Sequence, residues 1–188
     1  MTNNVLELTS VPYAPHLMPP SSKHLARRRN ALAGPIESDL LTIGGRVYML
    51  NATIGNQPFT LVIDTGSADT WVASSSFQCN NPYTSNSVPE DCGFGALYDA
   101  RAFEKVEYQS KVAYSGGEFL NGDMGFEDFG LSTGEGKSVS VKQMIGVVDE
   151  GYWMGNGISS GLMGLGFPAL AWGVNSRDLN YTDVLYTM

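Results

Sequence analysis

A short apolar run, Phe59 to Ile63, leads straight into Asp64-Thr65-Gly66-Ser67 and then, three residues on, into Trp71-Val72. The run has the length and composition of a buried strand, so it drives a carboxylate toward the interior. A bare charge is tolerated there only if donors or opposite charges hold it. Donors follow at once, as the Gly66 amide and the hydroxyls of Thr65 and Ser67. The stretch is therefore expected to form a buried turn that fixes Asp64, and a carboxylate so held is a candidate for acid/base work. An isolated Asp-Thr-Gly triplet arises often by chance and reads first as a turn capped by Asp. The strand before it, with Ser67 and Trp71-Val72 after it, is what gives this one its meaning.

The rest of the chain sets limits on that reading. A length of 188 residues suits one domain with a real core and is short for two lobes. A hydrophobic share of 43%, spread in short runs among 22 Gly, 9 Tyr and 8 Phe, favours an all-β domain over a helical bundle. No apolar run reaches the ~18 residues of a membrane-spanning helix, and no basic patch for nucleic acid is present. The net charge of −8 is unevenly placed, because residues 1–30 hold Lys23, Arg27, Arg28 and Arg29 against Glu7, a local +3, which leaves −11 for residues 31–188. Such a basic leader either pairs with the acidic body near neutral pH or is a solvated tail, and the residues leave both readings open.

From Leu61 to Ser75 the sequence LVIDTGSADTWVASS resembles the active-site loop of the pepsin-like aspartic proteases, whose signature is two or three apolar residues, Asp-Thr-Gly-Ser, and a Trp-Val pair. Upstream, Tyr48-Met-Leu-Asn-Ala-Thr-Ile-Gly-Asn-Gln-Pro-Phe59 resembles the strand and turn that lead into it. The resemblance covers about residues 47–188. It implies an all-β fold, the N-terminal lobe of a fungal-type acid protease, built as a partly closed β-barrel or sandwich with a ψ-loop beside the catalytic loop. Ser160 through Pro168 (SGLMGLGFP) is similar to the ψ-loop element, with Gly permitting close backbone approach to the Asp64 turn and Leu162 and Met163 filling the layer below. Lys111–Asp128 (KVAYSGGEFLNGDMGFED) resembles the mobile flap, with Tyr114 as the flap tyrosine whose hydroxyl reaches the Trp71 indole and Gly116-Gly117 as the turn. The family pattern there is Tyr-Gly-Thr-Gly-Ser, from which Tyr114-Ser-Gly-Gly-Glu118 departs, and Tyr108 is the alternative tyrosine. On the residues alone Cys79 and Cys92, with twelve residues between them, are either a disulfide or two buried thiols. The resemblance implies the disulfide, and with it an oxidising compartment. Neither cysteine has the neighbours of a metal or redox site, and no metal or cofactor is expected.

Other segments read more simply. Residues 1–40, broken by Pro12, Pro15, Pro19 and Pro20, read as a leader, and residues 41–188 as the lobe. Arg27-Arg28-Arg29 suits a processing protease, and the family implies a secreted or vacuolar zymogen, although no signal peptide is visible after Met1. Val47–Thr53 and Phe59–Asp64 are expected to form a hairpin, 135–137 a turn, and Ser138–Val148 an alternating strand with Val139, Val141, Met144, Ile145 and Val147 inward. A helix is expected from Ser176, capped by it or by Asn175. Asn51-Ala-Thr53 and Asn180-Tyr-Thr182 fit the glycosylation sequon, the first inside an expected strand.

The family's chemistry needs two aspartates that face one water and share a proton. By resemblance Asp64 is one of them, Ser67 orders its outer oxygen, Gly66 donates an amide, and Thr65 braces the partner loop. No second Asp-Thr/Ser-Gly occurs in the sequence. The resemblance therefore implies an endopeptidase acting on peptide or protein substrates in which this chain supplies half the active site, completed by a C-terminal lobe or a second copy. An inactive peptide-binding lobe is the reading from another class.

Overall fold

The computed structural model of the chain describes residues 47–83, 89–132, 138–167 and 170–171. The leader, the turn at 135–137, the helix from Ser176 and the Asn180 sequon lie outside the described residues. Within them the chain is almost all strand: β1 (Met49–Ile54), β2 (Gln57–Asp64), β3 (Trp71–Cys79), β4 (Lys105–Ala113), β5 (Phe119–Ser132), β6 (Ser138–Tyr152) and β7 (Gly161–Gly164). Two short 3-10 turns, Pro89–Cys92 and Ala100–Ala102, interrupt them. The strands make one mixed sheet in the order β1-β2-β7-β3-β6-β5-β4, and β1 also pairs with β5 through Ala52↔Leu131 to Ile54↔Phe129, which curls the sheet back on itself. The all-β lobe expected from the sequence is the fold observed.

The entry hairpin is set by two residues. Gly55 and Asn56 both have positive φ, 53° and 65°, the twist of a type I′ turn, and they close Ile54 onto Gln57. The register this fixes turns Leu50, Ala52, Ile54, Phe59 and Leu61 inward to a core shared with Val72, Phe129, Ile145 and Met163. Asn51 points the other way and is exposed, with its Oδ1 accepting from the Thr60 hydroxyl at 3.1 Å.

β2 and β3 are consecutive in sequence yet do not pair. β7 lies between them, parallel to β2 (Leu61↔Gly161 to Asp64↔Gly164) and antiparallel to β3 (Trp71↔Leu162, Val72↔Gly161). This insertion is the ψ arrangement, and it is possible because the inserted strand is pinched to glycine where it is tightest. A Cβ at Gly161 would stand 2.0 Å from the Trp71 carbonyl oxygen, and one at Gly164 would stand 2.4 Å from the Ala68 carbonyl carbon. Backbone cannot swing aside as a side-chain tip does. Gly161→Ala is accordingly expected to destabilise the lobe by about 3 kcal/mol, the upper end of the usual overpacking cost. A urea midpoint within error of the parent chain's would show that the ψ-strand has slack.

β6 departs from the simple alternation expected of it. Gln143 through Val148 are all buried, because this stretch has β3 on one side, β5 on the other and core against both faces. Met144, Ile145 and Val147 are core residues as expected, while Val141 is only half-buried.

Cys79 at the end of β3 and Cys92 in the first 3-10 turn are joined as a disulfide, with 5.7 Å between their Cα atoms. Both are buried in a second core cluster with Trp71, Phe77, Leu120, Val148 and Leu162. Closing this loop of sequence separation 13 is expected to stabilise the fold by about 3 kcal/mol on the chain-entropy estimate. Replacing both cysteines with serine should lower the unfolding free energy by that amount in urea titration, and a change under ~1 kcal/mol would show that the loop is already ordered in the unfolded ensemble.

Among the described residues no helix is long and apolar enough to cross a membrane, and no cluster of three His, Cys, Asp or Glu side chains is arranged to hold a metal ion.

Candidate active site

Asp64 is the last residue of β2, and its neighbours hold it on three sides. The Gly66 amide donates to Oδ1 at 2.8 Å and the Ser67 hydroxyl to Oδ2 at 2.6 Å. Below, the Leu165 amide donates to the Asp64 carbonyl at 2.7 Å and the Gly166 amide to the Ser67 carbonyl at 2.8 Å, so the ψ-strand clamps the loop by its backbone. Each carboxylate oxygen thus has one short local donor and keeps a lone pair for something else. The expectation of a buried turn needs correction on one point. Asp64 is half-buried, and Thr65 and Gly66 are exposed, because Leu61 and Ala68 to either side carry the burial and the loop tip rises above them. Phe167, just past the ψ-strand, is likewise 71% exposed.

Over this loop lies the hairpin between β4 and β5. The Gly117 amide donates to the Tyr114 carbonyl at 3.1 Å and the Tyr114 amide to the Glu118 carbonyl at 2.9 Å. Gly117 sits at φ 95°, a conformation that costs glycine little, and Gly116 leaves room for the Glu118 carboxylate, whose Oε2 would be 2.7 Å from a Cβ there. Tyr114 points inward, and its hydroxyl accepts from the Trp71 indole Nε1 at 2.9 Å. Tyr108 lies farther back on β4 and is 38% exposed. Burial raises the Tyr114 hydroxyl above the ordinary phenol range, the Trp71 bond opposes this, and the charges of Asp64, Asp69 and Glu118 add to it. The group therefore stays protonated well beyond neutral pH, and its O–H remains a donor.

Loop and hairpin enclose a cleft of about 200 Å³ lined by Asp64, Gly66, Ser67, Asp69, Val112 and Tyr114. That is below the ~300–1,000 Å³ of a complete small-molecule site. A larger hollow of about 370 Å³ on the outer side of β4 to β6 is lined by Gln109, Lys111, Asn121, Asp123, Asp149 and Glu150. It contains none of the held loop groups, and Asp123 on its wall pairs with Lys105 at 3.2 Å in an exposed ion pair.

Two residues of the site escape a reading by motif. Asp69 is 6% exposed and lines the cleft. Its only sequence signal is a charge set between Ala68 and Trp71 in an otherwise buried stretch. Trp153 follows β6 and packs edge-on against Trp71 (centroids 5.1 Å, 84°) and against Tyr114 (5.4 Å, 63°). Nothing local in the sequence marks it, since the contact comes from the β5–β6 pairing.

A family model described as eukaryotic aspartyl protease matches residues 47–186. The chain is 34% identical over 197 aligned residues to a probable aspartic-type endopeptidase of Aspergillus fumigatus, an alignment covering 100% of this chain and 44% of that protein. It is 29% identical over 130 residues to an aspartic protease of Coccidioides posadasii, covering 65% of this chain and 26% of that protein. The chain thus spans less than half the length of the curated relatives it matches. An Asp-Thr-Gly-Ser loop clamped by a ψ-strand under a tyrosine hairpin agrees with these matches, and the chain belongs to the eukaryotic aspartyl protease family.

Proposed function

We propose that residues 41–188 are the N-terminal lobe of an aspartic-type endopeptidase, with Asp64 as one half of a catalytic dyad and the other half supplied from outside this sequence. The observation that carries this is the Asp64 carboxylate, held at 2.8 Å by the Gly66 amide and at 2.6 Å by the Ser67 hydroxyl at the mouth of the cleft beneath Tyr114. In the reaction, one aspartate takes a proton from a water as it attacks the peptide carbonyl carbon, and the other donates a proton to the carbonyl oxygen. Ser67 and Gly66 fix the orientation of the Asp64 carboxylate, so a water placed against it needs little reorganisation. The exposure of Thr65 beside Gly66 supports its role as a brace against a facing loop. The hairpin of Tyr114, Gly116 and Gly117 covers an extended peptide substrate.

Half a dyad has no proton-sharing partner. The small cleft volume and the open Thr65–Gly66 face support a site completed by a second lobe with its own Asp-Thr/Ser-Gly. The disulfide supports a secretory, extracellular or vacuolar setting, and residues 1–40 are read as a leader removed or displaced before activity.

The test is complementation. The 188-residue chain alone is expected to release no peptides from a denatured protein at acidic pH, and a polypeptide extended to include a second Asp-Thr/Ser-Gly is expected to do so, with inhibition by a statine-type transition-state mimic. Cleavage by the chain alone that disappears with Asp64→Asn would replace the two-lobed reading with a symmetric dimer. An extended polypeptide that binds the mimic and cleaves nothing would make this a peptide-binding lobe.

A further inference from the structure

We propose that Trp153 is a positioning residue for the lid, holding Tyr114 over Asp64 and tying it to the Cys79–Cys92 bridge. The proposal rests on reading the Tyr114 hairpin as the lid of a peptide cleft.

Two backbone bonds close the hairpin on itself, from the Gly117 amide to the Tyr114 carbonyl and from the Tyr114 amide to the Glu118 carbonyl, and neither ties its tip to the Asp64 loop. Its tip residues Ser115, Gly116 and Gly117 are exposed, and a Cβ at Gly117 would meet nothing within 4 Å. The Tyr114 side chain carries the tip to Trp71 at the far end of the Asp64 loop. Trp71 reaches that side chain through one hydrogen bond, at 2.9 Å, whereas Trp153 touches both rings edge-on, at 5.1 Å from Trp71 and 5.4 Å from Tyr114. Such edge contacts are directional and lock the angle of the phenol as well as its distance.

Trp153 is itself anchored from two directions. It follows Tyr152, which pairs with Phe119 at the start of the strand returning from the hairpin. Its own amide donates to the Cys92 sulfur at 3.4 Å. A ring fixed on one side to the β5–β6 ladder and on the other to the disulfide loop is suited to set where the tyrosine rests. The catalytic chemistry does not pass through Trp153. It acts through Tyr114.

The experiment follows the Trp71 indole N–H by NMR in the 188-residue chain, with hydrogen exchange at the Tyr114, Gly117 and Ile63 amides. Ile63 reports on the sheet, since its amide donates to the Tyr48 carbonyl away from the hairpin. Trp153→Ala is expected to speed exchange at the Trp71 indole and at Tyr114 and Gly117 about tenfold or more, leaving Ile63 unchanged. Trp153→Phe should recover most of the protection, and replacing both cysteines with serine should reproduce part of the loss. Unchanged indole protection in Trp153→Ala would overturn the proposal, as would faster exchange shared equally by Ile63. The lid reading is tested apart from this, in the extended polypeptide. A statine-type peptide that adds no protection at 115–117 there would remove the lid reading, whatever the Trp153 variants show.

Discussion

Asp64→Asn is expected to lower kcat of the complete enzyme by about 10²–10⁴-fold, the usual weight of a positioned acid/base group. The fold should survive. An asparagine oxygen still accepts from the Gly66 amide, which now meets Oδ1 at 2.8 Å. On the other side the NH₂ group would face the Ser67 hydroxyl, which can rotate to accept instead of donate. The substitution therefore removes the charge and the exchangeable proton while leaving both contacts in place. The measurement is kcat/KM at acidic pH together with a urea midpoint. Retained activity would remove Asp64 from the chemistry, and an unfolding free energy lowered by more than ~1 kcal/mol would show that the charge also holds the loop. Ser67→Ala tests the same carboxylate from its support, by deleting the 2.6 Å bond while keeping the acid.

The loop was legible because its determinants are consecutive. Asp64, Gly66 and Ser67 hold one another across two or three residues, so the sequence shows donor and acceptor together. The β1–β2 hairpin was legible for the same reason, its twist lying in the adjacent pair Gly55-Asn56. Properties set by pairing over long distances were not. That Asp64 is half-buried depends on how high the loop rises above the ψ-strand, and that strand is nearly a hundred residues downstream. The unbroken burial of Gln143–Val148 depends on β3 and β5 enclosing β6, which a period-two pattern cannot report. Trp153 joins the site only because distant strands bring it there, whereas Asp69 lies in the loop itself and it is its burial that the local sequence does not report. The tyrosine was a middle case, for a local pattern offered both Tyr114 and Tyr108, and the distance of 2.9 Å to the Trp71 indole is a fact of tertiary packing.

Trp71→Ala is expected to cost about 3–5 kcal/mol, the range for removing a fully buried large aromatic. Trp71 is 0% exposed and sits where three features of the lobe meet. Its backbone pairs with Gly146 of β6 and with Leu162 of the ψ-strand, its ring packs edge-on against Phe94 and Trp153, and its indole nitrogen reaches Tyr114. A lobe of ordinary stability, about 5–15 kcal/mol, would lose a large part of it. Trp71→Phe separates the packing from the polar contact, since the smaller ring fills much of the space but cannot donate to the Tyr114 hydroxyl. It is expected to cost less, about 1–2 kcal/mol, with part of the cost in the unpaired hydroxyl. The two variants should therefore diverge in stability and converge in the lid. Urea titration should place Phe well above Ala, while both raise KM for a peptide substrate by loosening Tyr114. If Phe is as unstable as Ala, the indole bond is a structural strut of the second core. If Phe leaves KM unchanged, the hairpin is held by the edge contacts of Trp153 without help from the hydrogen bond.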